Sequence, residues 1–195
     1  GAILGDRIRF INDFRNNDVF FRSMSTRGSQ GGLATSTHLV ADIFDASGYD
    51  IIIFETVGVG QVEVDVIEAV DTVVVTLVPE SGDDIQMMKG GLMEIADLYV
   101  INKSDRQGAD KLYASLGKTI QINDYKDWIP NIIKTVAING AGIDDLYDSI
   151  LKHRDFLNKN MKIKKKLDER YVRAVKSFIS ANLIGKFWTS KTDSI

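Results

Sequence analysis

Cysteine is absent from the 195 residues, and histidine occurs only at His38 and His153. The first absence excludes disulfide frameworks and thiolate metal sites, and it fits a reducing compartment. With no third histidine and no cysteine to complete a ligand set, both histidines are expected in structural or surface roles. No stretch approaches the ~18 to 20 uninterrupted apolar residues of a membrane span. The opening residues, Gly1-Ala2-Ile3-Leu4-Gly5-Asp6, lack the basic region and apolar run of a signal peptide. The expectation is a cytoplasmic protein with no membrane attachment. Strong positive charge is missing too: the net charge of -3 gives no case for a general nucleic-acid binder. Internal repeats and low-complexity segments are absent, and so is an initiator methionine, which fits a trimmed or partial chain. What is present, 44% hydrophobic and 26% charged residues, suits one compact domain with room for an appendage.

Four apolar runs have the length and β-branched content of buried strands: Tyr49 to Phe54, Thr72 to Val78, Leu98 to Ile101, and Ile132 to Ile138. Each is continuous rather than alternating, which favours strands covered on both faces, as in a parallel sheet. Helix candidates lie between them at Thr35 to Ala46, Val62 to Ala69, Asp84 to Ala96, and Gln107 to Gln121. The alternation makes the class α/β with a mostly parallel sheet. Beyond Gly142 the pattern changes. Ile143 to about Phe187 has no proline, and apolar residues recur at three and four, as in an amphipathic helix. The expected organisation is therefore a domain over 1–142 and a helical arm over 143–195. Lys152 to Lys176 carries ten Lys or Arg against three Asp or Glu. The plain reading is a solvated helix face, and the sharper one is a docking or dimerisation arm. Phe187 and Trp188 near the tail are expected to pack against helices.

The strongest local signal closes the third strand, where Leu98-Tyr99-Val100-Ile101 runs into Asn102-Lys103-Ser104-Asp105. Ligands of open α/β sheets bind beyond the carboxyl ends of strands, so the position suits a site. A carboxylate there accepts both the ring N–H and the exocyclic amine of guanine, a pairing that adenine cannot offer. Asn102 can meet the other edge of the purine, and the stem of Lys103 can lie along the ring. Three further strand ends point to the same crevice. Glu55-Thr56-Val57-Gly58-Val59-Gly60-Gln61 pairs a carboxylate able to hold Mg²⁺ with a glycine amide able to approach phosphate. Pro79 to Gln86 opens a helix, and Thr135-Val136-Ala137-Ile138-Asn139-Gly140 offers small residues whose amides could touch the base.

Taken together, GDRIRF at Gly5 to Phe10, FRSMSTRGSQGGLA at Phe21 to Ala34, ETVGVGQVE at Glu55 to Glu63, and GDDIQMMKGGLMEIADLYVINKSD at Gly82 to Asp105 resemble the MeaB/ArgK/MMAA family. These are G proteins that act as GTPase chaperones of adenosylcobalamin-dependent acyl-CoA mutases. The resemblance covers essentially the whole chain. It implies GTP or GDP with Mg²⁺ as ligands, a mutase such as methylmalonyl-CoA mutase as partner, and a homodimer. Residue by residue it implies Asp6 and Glu55 at Mg²⁺, Gly58 at the terminal phosphate, and Asn102, Lys103, Asp105 and Ala137 at the base. It also implies nucleotide-sensitive switches at Arg27 to Gly32, Thr56 to Asp65 and Ser81 to Lys89. Asp83 and Lys89 are candidates for sensing phosphate or partner, and Gln61 for orienting water, although it equally suits a helix start.

The family binds phosphate with a G-x-x-x-x-G-K-[ST] loop after its first strand, and this sequence contains none. Leu112 to Thr119 is a decoy, with Leu112 where the first glycine belongs and a helix where a strand-to-helix loop is required. Lacking that amide nest, its lysine and its Mg²⁺-binding hydroxyl, the chain alone is expected to hydrolyse GTP very poorly. Its sheet is also expected to expose apolar surface where the strand before the loop would lie. Two function classes follow: a GTPase chaperone, or a non-catalytic interaction module with a vestigial guanine site. A transport-linked kinase ranks last, since no kinase loop is present.

Overall fold

The computed structural model describes residues 19–24, 37–56, 67–79, 92–123, 125 and 127–192. In chain order the elements are α1 (Thr37–Ala46), β1 (Val74–Leu77), α2 (Leu92–Ile95), β2 (Leu98–Ile101), α3 (Ala109–Ile122), β3 (Asn131–Lys134), α4 (Ile143–Lys159) and α5 (Lys162–Thr192). The strands form an open parallel sheet in the order β1-β2-β3, with Val74 opposite Leu98 and Leu98 opposite Asn131. The α/β class and the parallel sheet are as the sequence indicates.

Side chains alternate across a strand, so register decides which residues meet which helix. Tyr99 and Ile101 of β2, with Leu77 of β1, join Ala109, Leu112, Leu116 and Ile120 of α3 in one buried cluster. Burial pushes the Tyr99 phenol well above its ordinary pKa, and its hydroxyl pairs with Tyr125. On the opposite face Leu98, Val100 and Ile133 are buried, and α4 sinks Ser149, His153 and Leu157 at four-residue spacing. Val74 and Thr76 share that face by register, yet both are exposed. Among the described strands only β2 is buried along its whole length. The expectation that every run would be covered on both faces is thus corrected for β1, whose outer half no described helix reaches.

Other boundaries also differ. Residues 51–56 form no ladder, so the first apolar run is not a strand here, and Ile51 and Ile53 are 61% and 85% exposed. The last strand stops at Lys134 rather than Ile138, because residues 135–142 turn back on themselves through a Val136–Ala141 bridge. Residues 67–69 are helical, as expected for the end of the second helix candidate. In α1 no residue is buried; Phe44 packs edge-on to Phe20 at 5.3 Å and against Tyr49 at 5.5 Å.

The segment expected to form the arm is two helices, broken at Asn160 and at Met161, whose φ is 53°, and the first of them packs on the sheet. Its basic run is not simply a solvated face. Arg170 binds Asp71 Oδ1 at 2.6 Å and the Glu68 carbonyl at 3.1 Å, Arg173 binds Glu68 Oε1 at 3.1 Å, and Lys166 reaches the Asp71 carbonyl at 2.7 Å. Lys162 pairs with Asp127 at 2.7 Å. The carbonyl of Glu68 lies in the helical residues 67–69, at the C-terminal end of a helix, where backbone acceptors lack intrahelical donors and cations are favoured. Leu167, Tyr171, Val175, Phe178, Ile179 and Leu183, between 38% and 72% exposed, lie on the other side of α5. The helix therefore faces the body with its charged side and solvent with its apolar side. Arg170→Ala is expected to cost about 1 kcal/mol at low salt and less at about 1 M, where the Debye length shrinks to ~3 Å. Urea titrations at two ionic strengths check this, and a salt-independent loss would assign the effect to the packed arginine stem instead.

Candidate guanine-nucleotide site

Two loops at the carboxyl ends of β2 and β3 build the site. The Asn102 N–H donates to the Leu77 carbonyl at 2.8 Å, carrying the β1-β2 ladder one residue past the strand. Lys103 then adopts a left-handed conformation, φ 56°, which is uncommon for a residue with a side chain and turns the chain sharply. Arg106 N–H closes that turn onto the Lys103 carbonyl at 3.0 Å. On the other side Thr135 N–H donates to the Ile101 carbonyl at 2.9 Å, and the Thr135 carbonyl accepts from Ser104 N–H at 3.0 Å.

Side chains complete the stitching. Asn102 Oδ1 accepts from the Thr135 hydroxyl at 3.2 Å and from Ala137 N–H at 3.1 Å. Asn139 Oδ1 accepts from Ala141 N–H at 3.1 Å, tightening the second loop, and Lys134 ties the end of β3 to Asp110 of α3 at 2.6 Å. The hydrogen bond and charge from Lys134 hold the Asp110 carboxyl below its usual range.

Gly142 fixes how the second loop joins α4. Its φ is 75°, and a Cβ there would stand 2.1 Å from the Lys134 carbonyl oxygen, so only glycine lets the helix begin this close to β3. Asp144 and Asp145 occupy the first turn of α4, where the helix dipole favours negative charge.

The far end of β2 is pinned as firmly. Asp97 Oδ2 accepts from Val73 N–H at 2.8 Å, while Oδ1 lies 3.3 Å from His153 Nε2. His153 Nδ1 lies 2.9 Å from the Thr72 hydroxyl, and the ring packs 4.7 Å from Trp128. Trp128 Nε1–H donates in turn to the Asp97 carbonyl at 2.8 Å. Burial, the largest influence, lowers the His153 pKa against the pull of Asp97. A neutral ring with Nε2–H donating to Asp97 and Nδ1 accepting from Thr72 satisfies every partner. His153 thus has the structural role expected of it, while His38 lies exposed on α1.

Of the residues expected at the base, the structure brings Asn102 and Ala137 into direct contact and leaves Lys103 and Asp105 exposed beside them. Asp105 makes no ion pair or hydrogen bond among the described residues, so its carboxylate is available to a ligand. The Ala137 N–H is spent on Asn102, and its small side chain leaves room above the loop. Glu55 is exposed near the end of the irregular 51–56 segment, and no hydrogen bond ties it to these loops among the described residues. Asp6, Gly58, Gln61, Asp83 and Lys89 lie outside the described residues, as do 27–32 and 81–89 entirely and 57–65 of the middle switch. Among the described residues no group of three His, Asp or Glu that could hold a metal occurs. Sequence reasoning placed Thr135 at the head of the loop after the last strand but gave its hydroxyl no role. Its signal is slight: a threonine at a strand end just before small residues.

Comparison with known proteins matches residues 1–192 to the family model described as methylmalonyl Co-A mutase-associated GTPase MeaB. A GTPase of Pyrococcus abyssi is 46% identical over 190 residues, 95% of this chain and 59% of its own length. GTPase ArgK of Escherichia coli is 35% identical over 163 residues, 80% of this chain and 49% of its own. The mitochondrial methylmalonic aciduria type A homolog of Mus musculus is 36% identical over 155 residues, 77% of this chain and 37% of its own. The chain thus spans 59% and 60% of two Pyrococcus relatives and half or less of the others named here. A family match along nearly the whole chain leads to one conclusion: the chain belongs to the MeaB family of GTPases.

Proposed function

We propose that this chain supplies base recognition and partner docking in a GTP-binding, GTP-hydrolysing chaperone that assembles and protects a B12-dependent acyl-CoA mutase, methylmalonyl-CoA mutase being the model case. The observation that carries the nucleotide part is the Asn102 clamp on Thr135 and Ala137 beside the unpaired Asp105 carboxylate, at the carboxyl ends of parallel strands. In this reading Asp105 takes the two N–H groups of guanine, Lys103 lies along the ring, and Asn102 meets the opposite edge. Asp6 and Glu55 hold Mg²⁺, which would neutralise phosphate charge, and Gly58 meets the terminal phosphate. Asp83, Lys89 and Gln61 sense phosphate or orient water. The sequence holds no G-x-x-x-x-G-K-[ST] loop, so hydrolysis by the 195 residues alone is expected to be weak.

The mutase part rests on the family description and on the mouse relative's name. In the same reading 1–142 is the GTP-binding domain and 143–195 the arm. The outward apolar side of α5 makes a homodimer or meets the mutase. The protein works in the cytoplasm, with no role for membrane or nucleic acid.

Calorimetry with GDP, guanosine and ADP, with and without Mg²⁺, tests the nucleotide reading. The expected result is guanine-selective binding, stronger with GDP and Mg²⁺ than with guanosine. Absence of any guanine-selective heat would favour the second reading, an interaction module with a vestigial pocket, which the exposed apolar side of α5 suits on its own.

A further inference from the structure

The two helices beyond Gly142 are held by different forces. α4 buries Ser149, His153 and Leu157, and apolar packing of that kind is not screened by salt. None of the described residues of α5 is buried. Its grip on the body is a stripe of four cations at helical spacing, Lys162, Lys166, Arg170 and Arg173. Lys162 meets Asp127, and the other three close on residues 68–71, where Glu68 and Asp71 each supply a carboxylate oxygen and a backbone carbonyl. The Arg170 and Asp71 side chains are 25% and 50% exposed, so salt reaches this pair. The joint between the helices is finished from the α4 side. Asn160 donates to the Phe156 carbonyl from both its N–H and Nδ2, and Met161 N–H donates to the Asn158 carbonyl at 3.1 Å. Those bonds seal the last turn of α4 and hold nothing of α5.

We propose that α5 is a charge-latched arm, hinged just beyond Met161, whose closed position is set by Glu68 and Asp71 and whose opening leaves α4 and the sheet in place. Closed, the helix spends its cations on the body and offers a partner only its apolar side. Open, it offers the basic stripe as well, and Glu68 and Asp71 are uncovered on the body. The latch thus decides whether Lys162, Lys166, Arg170 and Arg173 are available to an acidic surface. The proposal is independent of what the base loops bind.

The lack of cysteine lets spin labels be placed at will. Lys118→Cys on α3 and Lys176→Cys on α5, both exposed positions, give a labelled pair spanning body and arm. Electron–electron distances are measured on the whole chain, diluted into unlabelled chain so that only pairs within one molecule report. At about 0.01 M salt, where the Debye length is ~30 Å, one narrow distance is expected; at about 1 M, where it is ~3 Å, a second and broader population should join it. Arg170→Glu turns attraction into repulsion and removes the carbonyl bond, and it is expected to raise the open-to-closed ratio about tenfold. Asp71→Arg should open the arm in the same way, and the two substitutions together should restore most of the narrow population, since the charges are then exchanged. Far-ultraviolet circular dichroism should keep its helical signal throughout. A distance that stays narrow both in Arg170→Glu and at about 1 M salt in the otherwise unaltered labelled chain would overturn the proposal, because another contact then holds the arm. Broadening that the charge exchange fails to reverse also overturns it, as does broadening accompanied by loss of helical signal, which would mean that α5 melts instead of swinging.

Discussion

Replacing Asp105 with asparagine is expected to weaken GDP binding by about 10²- to 10³-fold, one charge-assisted hydrogen bond being lost, at about 1.5 to 3 kcal/mol, and the other reduced to a neutral one. Asparagine offers one acceptor and one NH₂ donor where aspartate offers two acceptors. The ring N–H of guanine still finds the amide oxygen, but its exocyclic amine then faces another donor. Xanthine carries a carbonyl where guanine carries that amine, so the amide pairs with it on both sides. Preference should consequently pass from guanosine to xanthosine diphosphate. The exposed setting of Asp105, beside Lys103 on a turn already closed by backbone bonds, lets the exchange proceed without disturbing the loop. Competition titrations with the two nucleotides measure it, and an unchanged preference would take Asp105 out of the recognition role.

Loss of the His153 ring is expected to be the most damaging of the substitutions considered for folding. The ring is 1% exposed, wedged against Trp128, and holds both the Thr72 hydroxyl and Asp97. His153→Ala leaves a cavity beside an aromatic ring and removes a hydrogen-bond partner from two half-buried polar groups, a combined cost of about 4 kcal/mol. Domains of this kind hold only about 5 to 15 kcal/mol in reserve, so urea midpoints should fall sharply. The same residue shapes the acid limb of stability. Burial lowers its folded pKa, with Lys166 and Lys162 acting in the same sense and Asp97 and Asp71 opposing. The unfolded chain therefore takes up the proton first as pH falls. The stability contributed by the neutral ring is complete above about pH 6.5 and declines below it toward the folded pKa, by at most about 1.4 kcal/mol per pH unit. His153→Ala should remove that component. Identical slopes for both proteins between about pH 7 and 5 would rule it out.

How far the sequence discloses this molecule depends on whether a feature is local. Leu98–Ile101 is legible to the residue because a strand buried on both faces must be apolar throughout. Ile51-Ile52-Ile53-Phe54 shows the same pattern and forms no ladder, since composition records the wish for a covered position but not the presence of a neighbouring strand. The overrun at Val136 to Ile138 has a related cause. These residues are as apolar as a strand, but the hydrogen bonds of Asn102 draw Thr135 and Ala137 into a turn, and Ile138 ends up 96% exposed.

The arm shows the limit from the other direction. Helical periodicity is plain in its sequence, whereas the break at Asn160 carries neither proline nor glycine. That its charges face inward depends on Glu68 and Asp71, about a hundred residues earlier in the chain. For the candidate site, Asn102 to Asp105 is a compact motif, and the chemistry proposed for it is suggested by the sequence of those four residues alone. Thr135 stays hidden because its importance comes from a partner thirty-three residues away.

The close fit at Gly142 gives α4 the properties of a stiff lever. Where a loop with slack would absorb a small displacement, this joint seats the helix directly on the last carbonyl of β3. The helix has 17 residues, and at a rise of 1.5 Å each it is about 25 Å long. A tilt of about 5° at the fulcrum would thus sweep its far end, where α5 begins, through about 2 Å. Motion too small to break any hydrogen bond in the base loops would arrive at the arm as a displacement larger than a covalent bond.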